Sequence, residues 1–464
     1  MGIGRLLDIS VRTMATYQNA LDVTSNNISN AGNAEYTRQK VLLSTEITQG
    51  GIGMGVKLQD VQRIKNNLVD SQIRKYQSSL SDSNMRSEIL QQVESVIAEP
   101  SDTGISFYIN DFFNSWSELS TNPNSPQLRS QIVQKGQRMS ERFTEVFDGF
   151  DSVQTLLQKQ ATTTAGEINK SLKLINELNQ KIYESESRGM NASDLKDKRD
   201  SQIDSLSALV NINVSENKQG AVVVSVGGVH GADLNVANSF EVNFINGQMK
   251  LVSKTDSTAT VQLSGGDMFA IADLYSNKLP SYKNQLEELA QVIVNKVNDS
   301  HTTGYTLAQN GVSKTNIPFF GEMTPDGTIV NSFVSGKMRI NTSIVNDPRN
   351  IAVSSSGAND GNGDKAIQIA NLNETAIGEL SGRSILDAYS GILSDFGMEK
   401  SKSDSTIESN ELIIHQLTTQ KAAYSGVSLD EEMANVIKFQ RSYEASAKLV
   451  RVADEMMQVV LNMV

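Results

Sequence analysis

Apolar side chains recur at heptad spacing at both ends of the chain. Near the N-terminus Leu7, Val11, Met14, Leu21 and Ile28 follow one another by three, four or seven residues, with Gln18 and Ser25 as polar interruptions. Near the C-terminus Met433, Val436, Tyr443, Ala447, Val450, Met457, Leu461 and Val464 do the same, with Gln440 and Asp454 on the same line. This spacing places the side chains along one stripe of a helix, the seam of a coiled coil. Ser428 and Glu431 form an S-x-x-E capping box, and Gly426 can end a preceding helix. No Pro or Gly follows over 429–464, so the pattern predicts one helix of about 54 Å at 1.5 Å per residue. A stripe of that length needs a partner. The candidates are the N-terminal seam and other copies of the chain.

Between these ends the period changes twice. After an Asn-rich run that stops the first helix, residues 41–47 and 56–61 look extended. They are joined by Gly50-Gly51-Ile52-Gly53-Met54-Gly55, which reads as a turn because the segment after it is strand-like, unlike a phosphate loop opening a helix. Helices are predicted over 67–97, over 128–186 and from Ser193 to about residue 209. The cleanest heptad is Leu157, Ala161, Thr164, Ile168, Ser171, Ile175, Leu178 and Ile182. From Val210 the period is two, with Asn246-Gly247 as a hairpin turn, so 210–263 reads as sheet. Tyr282, Leu286, Leu289, Ile293 and Val297 restore the helix. Loops and short strands follow over 302–351, then helices over 365–373 and 407–422.

The predicted fold class is therefore mainly α with a β insert, the terminal helices pairing as a coiled coil. Three parts are expected: a terminal coiled-coil domain (1–35 plus 428–464), a helical middle domain (36–209 plus 268–427) and a small β-rich insert (210–267). The insert shares no seam with the termini, so it is expected to project outward and to be dispensable for assembly.

Composition narrows the chemistry. The chain has 464 residues, a net charge of -12 and no cysteine. The charge argues against nucleic acid, and the lack of Cys excludes disulfides, thiolate metal sites and a cysteine nucleophile. Arg5 and Asp8 interrupt any secretory h-region, and no run of 18 apolar residues exists to span a membrane. His230, His301 and His415 stand apart without metal-ligand spacing, and read as packed or solvated. Asp360-Gly361-Asn362-Gly363-Asp364 fails as a calcium loop, since Lys365 and Asn371 replace the required Gly and Glu. Glu287-Glu288 and Glu431-Glu432 read as solvated helix faces. No catalytic, cofactor-binding or metal-binding residue is expected.

The run from Leu21 to Arg38, with Asn26, Asn27, Asn30, Tyr36 and Arg38, resembles the N-terminal signature of bacterial flagellar axial proteins. Gly426-Val427-Ser428-Leu429-Asp430-Glu431-Glu432 and Gln440-Arg441-Ser442-Tyr443-Glu444-Ala445 are similar to the matching C-terminal signature. Asp194-Leu195-Lys196-Asp197-Lys198-Arg199-Asp200, Gly304-Tyr305 and Asp347-Pro348 resemble the hook–filament junction branch of that family. The resemblance implies a structural protein, exported by the flagellar type III apparatus and located outside the cell at the junction. It implies a homo-oligomeric ring touching the hook protein and a second hook-associated junction protein, with an export chaperone on the C-terminal stripe beforehand. No nucleic acid, cofactor or membrane insertion is implied. The alternatives are another axial protein of hook or rod type, or a secreted membrane-active helical protein, since 449–464 is strongly apolar.

Overall fold

The chain begins with a helix, α1 (Ile3–Ser29), whose end turns into a twisted antiparallel hairpin, β1 (Gln39–Ile47) and β2 (Gly53–Arg63). The computed structural model describes residues 2–33, 35–47, 53–99, 102–216, 221–334, 336–358 and 361–462. Val464, Gly50 to Ile52 and Asp360 of the sequence reading lie outside the described residues. Gln39 pairs with Arg63 and Ile47 with Gly53 across the hairpin. Gly55 has φ +91, and a Cβ there would lie 2.8 Å from Thr13 Oγ1, so only glycine lets the hairpin lie this close to α1.

Four helices build the body's first half: α2 (Asn67–Ile97), α3 (Ile105–Thr121), α4 (Pro126–Ser187) and α5 (Ser193–Leu209). Each start has a local cause. The Asn66 side chain accepts from Leu68 N and Val69 N, and Ser125 caps α4 with Pro126 preset for the first turn. With 62 residues, α4 is about 93 Å long.

The sheet region that follows contains β3 (Ile212–Glu216), β4 (Val222–Val226) and β5 (Val229–Ala232) in one sheet, and β6 (Phe240–Ile245) with β7 (Gln248–Ser253) in another. It does not stand clear of the body. Val224, Val226 and Leu251 are fully buried in the same core as α4. Asn169 on α4 brackets Phe240, donating to its carbonyl at 2.8 Å and accepting from its amide at 2.6 Å. Asn179 donates to Val222 O at 2.8 Å. The expectation of a projecting insert is corrected: the sheets are a layer on α4, because their second face is apolar and needs cover.

Helix α6 (Asp267–Asp273) runs through a π turn into α7 (Leu279–Thr302). Short pairs follow, β8 (Glu322–Met323) with β9 (Ile329–Val330) and β10 (Phe333–Val334) with β11 (Lys337–Met338), then α8 (Thr342–Asn346) and α9 (Asp364–Ala370). The last two helices are α10 (Ile385–Ser425) and α11 (Leu429–Leu461). The sequence reading starts α10 at 407, 22 residues late. Ser384 caps it by accepting from Asp387 N, and Ile385, Tyr389, Ile392 and Phe396 form its buried stripe. Gly391, Gly397 and the polar run after Met398 dilute that stripe in sequence.

The hydrophobic core runs from Met85 to Phe396, centred on Phe112, Phe113, Trp116, Phe319 and Phe320. Among the described residues none from α1, the β1–β2 hairpin or α11 belongs to it.

Candidate assembly interface

α1 and α11 pack along each other within one chain. Asn27 meets Glu432 and Tyr17 meets Phe439, so the pair is antiparallel. The buried positions are Ser10, Thr16, Ala20, Thr24 and Asn27 on α1, and Glu432, Phe439, Ser446 and Ala453 on α11. The α11 set repeats every seven residues, as a coiled-coil line must, but two of its four members, Ser446 and Ala453, are small and Glu432 is charged. Thr24 Oγ1 and Ser446 Oγ bond back to their own helices at 2.8 and 2.9 Å, so their hydroxyls enter the seam satisfied.

The large apolar residues of the sequence reading sit beside this line. Leu7, Met14, Leu21, Ile28, Val436, Tyr443, Ala447 and Val450 are half-buried. Val11, Met433, Met457 and Leu461 are exposed, and Leu461 retains 70% of its surface. The closest helix approach selects small side chains, and the bulky ones are left on the flanks facing outward. Leu449, Val452, Met456, Val459 and Val460 extend this exposed apolar face.

At the base of the pair the signature residues converge. Glu432 is 2% exposed. Its carboxylate accepts from Arg38 Nε at 2.8 Å and Arg38 Nη2 at 2.7 Å, and from Asn27 Nδ2 at 3.1 Å. Arg38 Nη1 also reaches Glu431 at 2.7 Å. Asn27 donates to Gln39 O at 2.8 Å, and its own carbonyl accepts from Gln39 N at 3.0 Å and Tyr36 Oη at 2.8 Å. Burial opposes the charge on Arg38, but the two carboxylates outweigh it and hold the proton more tightly than usual. Burial raises the Tyr36 phenol well above its ordinary range, so it stays a donor. Asn26 and Asn30 do not enter this cluster; Asn30 Nδ2 closes the end of α1 on Asn26 O at 3.0 Å. Glu432, read from sequence as solvated, is the centre of the cluster. Its seven-residue spacing to Phe439 was the available signal.

A second cluster lies alongside. Arg63 on β2 bridges Asp197 and Asp200 of α5, at 2.8 Å to the latter, and Lys65 Nζ meets Asp200 at 2.7 Å. Lys65 and Arg63 overcome burial to pull the Asp200 carboxyl down to about 2. Arg199 turns the other way and donates to Asn179 at 3.0 Å. The Asp194 to Asp200 motif thus faces two elements at once. Tyr305 pairs its backbone with Ser354, and Asp347 caps the turn at Pro348.

Burial pushes His301 down to about 4; its Nδ1 bonds Ile317 O at 2.6 Å and Nε2 accepts from Ala352 N at 2.9 Å. His230 sits 3.3 Å from Asp233. Among the described residues no group of three or more His, Cys, Asp or Glu is arranged to hold a metal.

Residues 90–320 match the family model described as Flagellar hook-associated protein FlgK helical domain. Residues 421–463 match Flagellar basal body rod FlgEFG protein C-terminal, and 7–32 match Flagella basal body rod protein. The chain is 30% identical to Flagellar hook-associated protein 1 of Bacillus subtilis (strain 168), over 98% of this chain and 97% of that one. It is 25% identical to the Salmonella typhimurium protein of the same name, over 98% and 99%. Among solved structures, the flagellar hook junction protein FlgK from Burkholderia pseudomallei is similar at a TM-score of 0.61 and 14% identity, covering 76% of this chain and 100% of that one. At that identity the likeness concerns the fold alone.

Proposed function

Because this chain belongs to the flagellar hook-associated protein 1 family, and is a structural component of the junction between flagellar hook and filament, we propose that it works by presenting the outer face of its α1–α11 pair to other subunits. Copies form a ring that contacts the hook protein on one side and a second hook-associated junction protein on the other. The terminal unit (1–35 plus 428–464) is the inner, ring-forming part; the helical middle (36–209 plus 268–427) and the sheet layer (210–267) lie outward of it. Leu7, Val11, Met14, Leu21, Ile28, Met433, Val436, Tyr443, Ala447, Val450, Met457, Leu461 and Val464 are the contact residues of this reading. Before assembly the same stripe is covered by a flagellar export chaperone, and the chain leaves the cell through the type III apparatus. It performs no catalysis and takes no cofactor.

The observation that carries this reading is the exposed apolar face of α11. Leu449, Val452, Met456, Val459 and Val460 are each more than 40% exposed and lie close together along one helix. A patch of that kind marks a binding surface. No helix among the described residues is long and apolar enough to cross a membrane, and Asp454 and Glu455 break the face for a lipid surface.

The test is electron microscopy of cells lacking the protein, beside cells carrying Val459→Asp with Leu461→Asp. Both are expected to bear hooks without filaments. Normal filaments on the double variant would remove the outer face of α11 from the reading. Binding of the purified protein to liposomes would favour the membrane-active alternative.

A further inference from the structure

The terminal pair, taken with residues 36–65 whose β1–β2 hairpin packs on α1, joins the body without a shared hydrophobic core. The core ends at Met85 on one side and Phe396 on the other, among the described residues. What crosses between the units is polar. Arg63 and Lys65, leaving the hairpin, are held by Asp197 and Asp200 of α5. Thr37 N donates to Asp197 at 3.2 Å, Asn191 Nδ2 to Gln39 at 3.2 Å, and Arg38 N to Ser425 O at 3.2 Å. Lys421 and Lys65 share Asp70 at 3.0 and 3.6 Å. Beside this joint lies a cleft of about 1400 Å³ between β2 and α2 on one wall and α5 and β3 on the other, bordered by Gln59, Lys75, Met190, Asn213 and Glu216.

We propose that Asp197 and Asp200 are the socket of an ion-paired hinge, in which Arg63 and Lys65 turn to set the angle between the terminal pair and the helical body. A hydrophobic joint has one well-packed setting, and leaving it exposes apolar surface. Ion pairs are less demanding of shape: Lys65 lies within reach of both Asp70 and Asp200, and Arg63 of both Asp197 and Asp200, so each cation can lean towards one carboxylate without leaving the cluster. The adjoining cleft gives the swing its room. The hinge follows from the geometry of one chain and does not depend on the junction reading.

The chain has no cysteine, so two can be placed at will for spin labels. Lys181→Cys on α4 and Lys438→Cys on α11 are both exposed and stand on opposite sides of the joint. Pulsed electron-spin distance measurement on the full-length labelled protein is expected to give a distribution with more than one maximum, and a single narrow one would overturn the hinge. Adding Asp197→Asn with Asp200→Asn is expected to broaden it at least twofold. A second background, Arg63→Gln with Asp200→Asn, removes one charge of each sign and so keeps the cluster balanced; it is expected to broaden it too, with the body's melting temperature held within about 4 °C. An unchanged width in both backgrounds would overturn the hinge. So would loss of the body's fold in both, since the ion pairs would then be part of that fold.

Discussion

Glu432 is a buried charge with three donors, and the cost of leaving it or Arg38 alone is asymmetric. Removing one member of a buried pair strands the other, whereas an exposed pair is worth little. Glu432→Ala is expected to cost the closed α1–α11 pair about 3 kcal/mol, and Glu431→Ala less than about 1 kcal/mol, because Glu431 is largely exposed. Amide hydrogen exchange along α11 reads the difference; equal effects would mean the cluster does not hold the pair. Asn27→Asp changes one NH₂ to an oxygen, and sets that oxygen against Gln39 O and Glu432. It should resemble Glu432→Ala in the same measurement. His301 supplies a pH effect. The folded imidazole titrates at about 4 and the unfolded one near 6.5, so across that window the unfolded chain binds more protons. Stability therefore falls as pH drops from 6.5 towards 4, by roughly 3 kcal/mol in all. Urea midpoints at pH 7, 6 and 5 should decline, and His301→Gln should start lower at pH 7 with a flatter decline. At this scale the signature residues Asn27, Tyr36 and Arg38 were legible by resemblance. Their partner Glu432 was not, because a carboxylate in a capping turn looks the same in sequence whether solvated or buried.

Periodicity located most long helices, since 3.6-residue spacing survives over many turns, but it missed α3 and the first 22 residues of α10. It placed the α1–α11 seam imperfectly, because it weights large apolar residues and the close contact uses Ala20, Thr24, Ser446 and Ala453. That distinction gives a paired prediction. Ala453 is fully buried against α1, so Ala453→Leu should overpack the seam by about 2 kcal/mol and loosen the isolated protein. Val459→Asp, on the exposed face, should leave hydrogen exchange in the isolated protein unchanged and block filament growth. If Val459→Asp alone unfolds the pair in solution, the outer face is already occupied within the chain. The sheet layer was legible as strands but not as a layer, because a two-residue period says which face is apolar and not what covers it. Deleting 210–263 should therefore lower the melting temperature of the whole body rather than leave it intact, since Val224 and Leu251 cap the α4 core.

For the whole molecule, the core determines what can be removed. Truncation after Ser425 takes away α11 but no residue of the core cluster. Calorimetry should still show the body's cooperative transition, with its midpoint moved by less than about 4 °C. Loss of that transition would mean the terminal pair supports the body, against the core's boundaries. That the two end helices pack on each other was readable in their heptads. The polar character of the joint was not, since it arises from contacts such as Arg63 with Asp200 that are 137 residues apart.

Helix α4 carries a further consequence. Its first half buries Phe143, Val146, Phe147 and Phe150, and its second half holds the sheets through Asn169, Asn176 and Asn179. One unbroken helix thus fixes a common phase for both. Deleting a single residue between Phe150 and Asn169 would turn everything beyond it by about 100° and swing the three asparagines off Phe240, Asp233 and Val222. Deleting seven would return them to nearly the same azimuth, displaced by about 10 Å. Length change within this segment is therefore permitted only in near-whole turns, and a frame of that kind is inherited in steps rather than by degrees.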